Sequence, residues 1–306
     1  MRWPSRQLRK AQLIAALQQH SNQVRNLPGI ANPAALEALA MQLIASLRRE
    51  DYYRAVQAKP VSAQRADPNN PLFDAERAVA YHIQSGNIEE ATWLVFLMTH
   101  FARAGGSGWL RLRDVYGRLG AGVWDFATVR ANPTAFINWL SANWKSIRGK
   151  FGNHRKYESL DPNSNRSMAK VLGSYLTWIG PGGHQAKFAQ IVHAAGNDPH
   201  VIFDAFYQGM CVLSFGRLAK FDYLSLLGRY GIAPISAGSA YLHGATGPAR
   251  GARLLFDGNA NGPSTTQQLQ AMLDNLDSDV GVGMAVLEDA LCNWQKSPLE
   301  FVHYTG

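Results

Sequence analysis

The sequence predicts an all-α protein, a helical globule with one large core or with two lobes around a cleft. Apolar residues recur at three- and four-residue spacing from end to end, the period of one helix face. Alternating apolar and polar runs bounded by turn residues, the mark of half-buried strands, are scarce. Short Gly, Pro and Asn turns punctuate the chain at roughly helix-length intervals.

The elements follow in order. A first helix is expected over 8–19, with Leu13, Ile14 and Leu17 apolar and Arg6, Arg9 and Lys10 at its start. Pro33, suited to a first helical turn, opens a long amphipathic helix through Leu36, Leu39, Leu43, Ile44 and Leu47 to Tyr53, and a looser stretch follows at 59–71. Residues 87–104 read as a buried helix in which Glu89 and Glu90 complement the positive end of the helix dipole. Further helices are expected over 133–147, 166–179, 184–195, 199–213, 215–230, 264–276 and 280–294. The count comes to about a dozen helices.

At 306 residues and 46% hydrophobic content, the chain is long enough to bury a sizeable core. No repeat of fixed period and no low-complexity linker separates halves, so it reads as one domain over 1–306, with the segment up to Asn26 peripheral. The cysteines, Cys211 and Cys292, sit in helical, apolar contexts, which argues against a disulfide framework and for a reducing compartment. The longest apolar run, 91–101, is interrupted by Thr92 and Thr99 and falls well short of the roughly 20 residues of a membrane span. No signal-peptide core follows the basic start. A cytoplasmic protein is expected.

Thirty Lys and Arg against 22 Asp and Glu give a formal charge of +8, and a basic excess attracts polyanions, of which nucleic acid is the commonest. The nine histidines form no HExxH set, no CxxC pair occurs, and no GxxxxGK[ST] loop is present. No metal or cofactor is therefore expected.

Four stretches could carry chemistry. In 242–256, Gly244 and Gly247 precede a helix whose first turns hold Pro248, Arg250 and Arg253, an arrangement that suits a phosphate held by backbone N–H groups at a helix start. Glycines that merely let two helices pack closely explain the same pattern. The densest basic run, 148–158, interleaves Arg148, Lys150, Arg155 and Lys156 with Phe151, His154 and Tyr157, so cations can hold phosphates while rings stack on bases. In 215–224 the apolar positions recur every three residues and leave Arg217, Lys220 and Asp222 on other faces; Asp222 lies roughly 160° around a regular helix from Lys220, too far for a direct pair. Finally, Glu288 and Asp289 lie within an apolar helix, where a carboxylate is costly unless paired or used. One of them could simply neutralise a cation such as Arg253.

Taken together, 151–160 (FGNHRKYESL), 215–224 (FGRLAKFDYL), Tyr241-Leu242 with 244–248 (GATGP), 251–256 (GARLLF) and 288–292 (EDALC) resemble the α-glutamyl/putrescinyl thymine pyrophosphorylase family. The resemblance runs from about Leu27 to Gly306. It implies a DNA-glycosylase-like helical fold and chemistry on hypermodified phage bases. Within that family some members are thought to install amino substituents on a pyrophosphorylated hydroxymethyl-uracil, and bacterial relatives excise modified bases such as glucosylated hydroxymethylcytosine as a defence against phage. The 244–247 turn is one residue longer than the usual Gly-x-Gly hairpin, and no Asp lies about 20 residues beyond it.

The expected activity is therefore that of a DNA N-glycosylase. A basic clamp holds a flipped nucleotide, an acid faces the cationic sugar as the glycosidic bond breaks, and water attacks the anomeric carbon. Asp222, Asp289 and Glu288 are the candidate acids; Asn153, His154 and Tyr157 are candidates for the base pocket. Arg148, Lys150, Arg155, Lys156, Arg217, Lys220, Gly244, Gly247, Arg250 and Arg253 are candidates for DNA contact. Lys150 or Lys220 could instead form a Schiff base. A transferase of the same fold and a non-catalytic DNA-binding protein are the alternatives.

Overall fold

A computed structural model describes residues 3–304. Among these residues the chain is all-helical, with fifteen α-helices and only two isolated β-bridges, Ala104 with Gly108 and Ser159 with Ser167. In chain order they are α1 (Gln7–Gln23), α2 (Pro33–Gln57), α3 (Ala63–Ala66), α4 (Ala75–Gln84), α5 (Ile88–Phe101), α6 (Leu110–Tyr116), α7 (Phe126–Ala131), α8 (Pro133–Asn143), α9 (Met168–Ile179), α10 (Gly183–Ala195), α11 (Pro199–Gly209), α12 (Arg217–Arg229), α13 (Gly247–Asp257), α14 (Thr266–Val280) and α15 (Met284–Trp294). None is long and apolar enough to cross a membrane. The short helices α3, α4, α6 and α7 fall where the apolar period is too brief to read, and Cys211 lies exposed beyond the end of α11 rather than inside a helix.

Two compact units divide the chain, one reaching up to Tyr52 and resuming over Ser236–Tyr304, the other comprising Tyr53–Ile235. In the first, α1 buries Leu13 and Leu17, and α14 buries Leu269, Leu273 and Leu276. α13 lies against α15 through two glycines one turn apart. A Cβ at Gly247 would come 2.6 Å from Cys292 Sγ, and one at Gly251 would come 2.3 Å from the carbonyl oxygen of Leu291. Close helix approach is thus what this glycine spacing provides, and α13 begins at Gly247, one residue before Pro248.

The second unit is built around α5. Every residue from Glu90 to Phe101 is buried, as the apolar run suggested, and the two threonines in it cost nothing because Thr92 and Thr99 donate to the carbonyls of Ile88 and Val95. Rings fill the space around it. Phe96 stacks on Tyr175 at 3.8 Å between centroids and on Phe215 at 5.6 Å, so α5, α9 and the lead-in to α12 share one aromatic core.

Candidate functional site

The basic run 148–158 folds with its residues sorted by side. Phe151 stacks on Phe101, and Gly152 donates to the Phe101 carbonyl at 2.8 Å, where a Cβ would strike Ala102 at 2.6 Å. Arg155 and Glu158 also turn inward. Lys150, Asn153, His154, Lys156 and Tyr157 turn outward, with the Lys156 ammonium 5.2 Å from the Tyr157 ring centroid. The outward set keeps Lys150, His154, Lys156 and Tyr157 of the cation and aromatic mixture that sequence reasoning assigned to DNA, whereas Phe151 and Arg155 of that mixture pack inward.

The arginines of this run are committed elsewhere. Arg148 clasps the buried Asp114 carboxylate with Nε at 2.9 Å and its terminal nitrogen at 2.7 Å. Arg155 is buried, donates to the Ser214 carbonyl at 2.7 Å, lies over the Phe215 ring and stands 3.6 Å from Glu158. Burial weakens the hold of its guanidinium on a proton, while Glu158 and then Asp222 strengthen it. Asp222 on α12 is close enough for its charge to act on Arg155, and the Arg155 guanidinium over Phe215 brings the second and third stretches together inside the second unit. Lys220 donates to the Tyr207 carbonyl at 3.1 Å, and Arg217 covers Phe221.

In the first unit, Asp289 is held by Ser46 at 2.5 Å, by Arg49 and by Asn293 at 3.1 Å. Its cation is thus Arg49; Arg253 instead donates to the Ser264 carbonyl. Glu288 is buried on the same helix. Gly244 adopts a left-handed φ of 73° and Arg250 is exposed in the first turn of α13. A Gly-x-Gly hairpin does occur, at 281–283. It joins α14 to α15 with φ of 60° at Gly281 and 86° at Gly283, and the N–H groups of Val282 and Gly283 both donate to Asp277 at 2.9 Å. Two helix-period runs flanking Gly-Val-Gly were the signal for it.

In the second unit the ends of α3, α4, α5, α6 and α7 converge on a cavity of about 600 Å³, a size suited to a small-molecule or base-sized group. Tyr81, His82, Glu89, Glu90, Tyr116, Asp125, Phe126 and Arg130 line it. Consecutive carboxylates there are driven in opposite directions. Burial would raise the Glu89 pKa, but hydrogen bonds from the His184 ring and from the backbone N–H groups of Gln185 and His184 outweigh it and pull it down to about 2. Glu90, deeper, is pushed up to about 7 by burial, although the Tyr116 hydroxyl at 2.6 Å and the Phe126 N–H at 2.7 Å hydrogen-bond to it. Burial also lowers His82 to about 4, which keeps its ring neutral.

Sequence reasoning gave Glu89 and Glu90 to the helix dipole and went no further. The missed signal was position: two adjacent acids open a helix read as wholly buried, where solvent cannot pay for them. The basic run reaches the same neighbourhood, because Arg148 and Asp114 line a smaller cavity with Pro68, and Pro68 also lines the large one.

The family model for alpha-glutamyl/putrescinyl thymine pyrophosphorylase clade 3 matches residues 34–306. The chain belongs to this family. No curated protein and no solved structure matches it significantly. Membership points to an enzyme of modified DNA bases, as the family's name indicates, and the match begins within the first turn of α2.

Proposed function

We propose that this protein is a DNA N-glycosylase that excises a hypermodified base of the kind phages install, leaving an abasic site, and that it serves anti-phage defence. The observation that carries the reading is the cavity wall on which Glu89 is ionised and Glu90 holds a proton near neutrality. Two carboxylates with pKa values driven apart can divide the roles of anion and acid between them. An extruded base enters the cavity, and the C1′–N bond breaks with its electron pair leaving on the base. Glu90 gives that base a proton, and the fixed charge of Glu89 faces the positive charge developing on the sugar. Water then bonds to C1′ and returns a proton to Glu90. No lysine lines the cavity, so the reading is hydrolysis rather than Schiff-base chemistry.

Outside the cavity, Lys150, His154, Lys156 and Tyr157 form the exposed surface offered to the DNA strand, and Asp222 serves Arg155. The family's pyrophosphorylase name supports a second reading, a transferase acting on a hydroxymethyl-pyrimidine in DNA. Mass spectrometry of small molecules released from a panel of phage DNAs, with alkali treatment of the remaining strand, separates the two. Free modified base with alkali-labile sites is expected. A new adduct on a base still joined to its sugar would replace glycosylase by transferase, and tight binding with neither product would remove both.

A further inference from the structure

The cavity carboxylate Glu89 is the terminus of a buried hydrogen-bonded chain that no sequence motif marks. Its Oε2 accepts the His184 ring N–H at 2.7 Å and the His184 backbone N–H at 3.0 Å, and its Oε1 accepts the Gln185 N–H at 2.9 Å. Glu89 thereby caps α10, whose own N-cap residue, Gly182, supplies no side chain. Behind the imidazole, His184 Nε2 lies 2.7 Å from the Tyr175 hydroxyl, which lies 3.1 Å from the Tyr223 hydroxyl. His184, Tyr175 and Tyr223 are each completely buried.

Burial fixes the direction of every bond in this chain. It holds His184 neutral and both tyrosines protonated. A neutral imidazole that donates from Nδ1 to a carboxylate must accept at Nε2. Tyr175 therefore donates to His184, and Tyr223 donates to Tyr175. All the donors point one way, toward Glu89, and the positive end of the α10 dipole points there too. The surroundings leave little tolerance: Phe126 packs on the imidazole at 4.0 Å between centroids, and a Cβ at Gly183 would come 3.0 Å from the Glu89 oxygens. Asp67, His82, Glu90, Asp125 and Arg130 share the cavity wall. Of the carboxyl groups among them, Glu90 keeps its proton near neutrality, and what holds Glu89 ionised against its burial is the set of donors from His184 and Gln185.

We propose that His184, locked in its Nδ1–H tautomer by Tyr175 and Tyr223, is a positioning residue that holds Glu89 as a permanent, aimed anion for the reaction. The inference rests on the glycosylase reading for its chemistry, and on the hydrogen-bond geometry and burial of the chain for the charge of Glu89. His184→Phe suits the site, since rings of Phe126, Tyr175 and Phe188 already surround it. In single-turnover base release, the wild-type rate should stay level as pH falls from 6 to 4. The variant should develop an acid limb inside that window as Glu89 takes up a proton, and release base up to about tenfold more slowly at pH 5. Tyr175→Phe, which removes the hydroxyl and keeps the ring stack, should shift the limb in the same direction by less. His184→Asn, which restores an N–H donor, should recover part of the loss.

Titration of ¹³C-labelled Glu89 by NMR tests the same charge without any substrate, so it stays informative if the proposed reaction is wrong. An upward shift of that titration in His184→Phe supports the inference. A titration that does not move in the folded variant overturns it. A shifted titration with an unmoved rate profile overturns the catalytic role of the chain, as does a wild-type protein that releases no base at all.

Discussion

Each unit of this molecule contains a pair of consecutive acids on a mostly buried helix, and one acid of each pair is held by an opposite kind of partner. Asp289, on α15, is taken up by Arg49, Ser46 and Asn293, so its charge is neutralised and it ties α15 to α2. Glu89, at the start of α5, is held by neutral donors, the N–H groups of α10 and the ring of His184, beside a cavity of about 600 Å³. Neutral donors stabilise a carboxylate without cancelling it, so its field stays available to whatever enters. On the proposed reading, a half-buried acid announces its use by its partners: a cation partner makes a strut, and dipoles beside a cavity make a reagent.

The largest expected effect tests that distinction directly. Glu89→Gln keeps the shape but removes the anion, and it should cost about 2.7–4 kcal/mol of transition-state stabilisation, or about 10²–10³-fold in base release. Thermal melting, run alongside, exposes a merely structural loss. Normal release by the folded variant would erase the contrast between the two acid pairs.

Next comes the acid. Glu90 holds its proton below about 7, so base release should fall as pH rises through that value. Glu89, ionised down to about 2, places no limb in the range from 4 to 6. Glu90→Gln should remove the decline above 7 and lower the plateau by about 10²-fold. The same group affects stability in a checkable direction: its folded pKa is raised, so stability is lost as pH climbs from the ordinary carboxyl value through about 7. Melting curves from pH 4 to 8 should flatten in the Gln variant. A decline that persists unchanged in Glu90→Gln assigns the proton to another group.

Asp289→Asn probes the other side of the comparison. It should leave base release within twofold of wild type and lower stability by about 1–2 kcal/mol, since both partners are partly exposed and solvent screens the pair. A selective loss of activity with unchanged melting would make Asp289 a reagent after all.

These outcomes also mark what could be read in advance. The all-helical class was legible because a 3.6-residue period needs only the identities along one segment, and α5, α9 and α11 were visible from their apolar faces. The basic run was legible as a unit for the same reason. Which of its members face outward was not, because Arg155 and Glu158 are drawn inside by Ser214, Phe215 and Asp222, residues that lie 56 to 67 positions along the chain from them. Glu89 was hidden similarly: its meaning depends on His184, 95 positions away, and on four other helix ends. The glycines at 247 and 251 illustrate the remaining gap. A glycine that admits a phosphate and one that admits a neighbouring helix look alike until Leu291 and Cys292 are seen against them.

The smallest effect carries the comparison from acids to cations. Arg148 and Lys150 stand two residues apart in the basic run, yet Arg148 is paired bidentately with Asp114, whereas Lys150 is exposed at the surface. If available charge binds DNA and committed charge builds the loop, the two should differ in salt dependence. Each phosphate contact contributes about 0.9 to the slope of log affinity against log salt on duplex DNA, or about 0.7 on a single strand. Lys150→Ala and Lys156→Ala should each reduce the slope by about that amount, with melting unchanged. Arg148→Gln should leave the slope nearly as it is, because deleting a charge already cancelled by Asp114 releases no counterion, and should instead lower the melting temperature. Equal slope changes for Arg148 and Lys150 would mean that the Asp114 pair opens when DNA binds, and the division between committed and available charge would then hold only for the protein without its substrate.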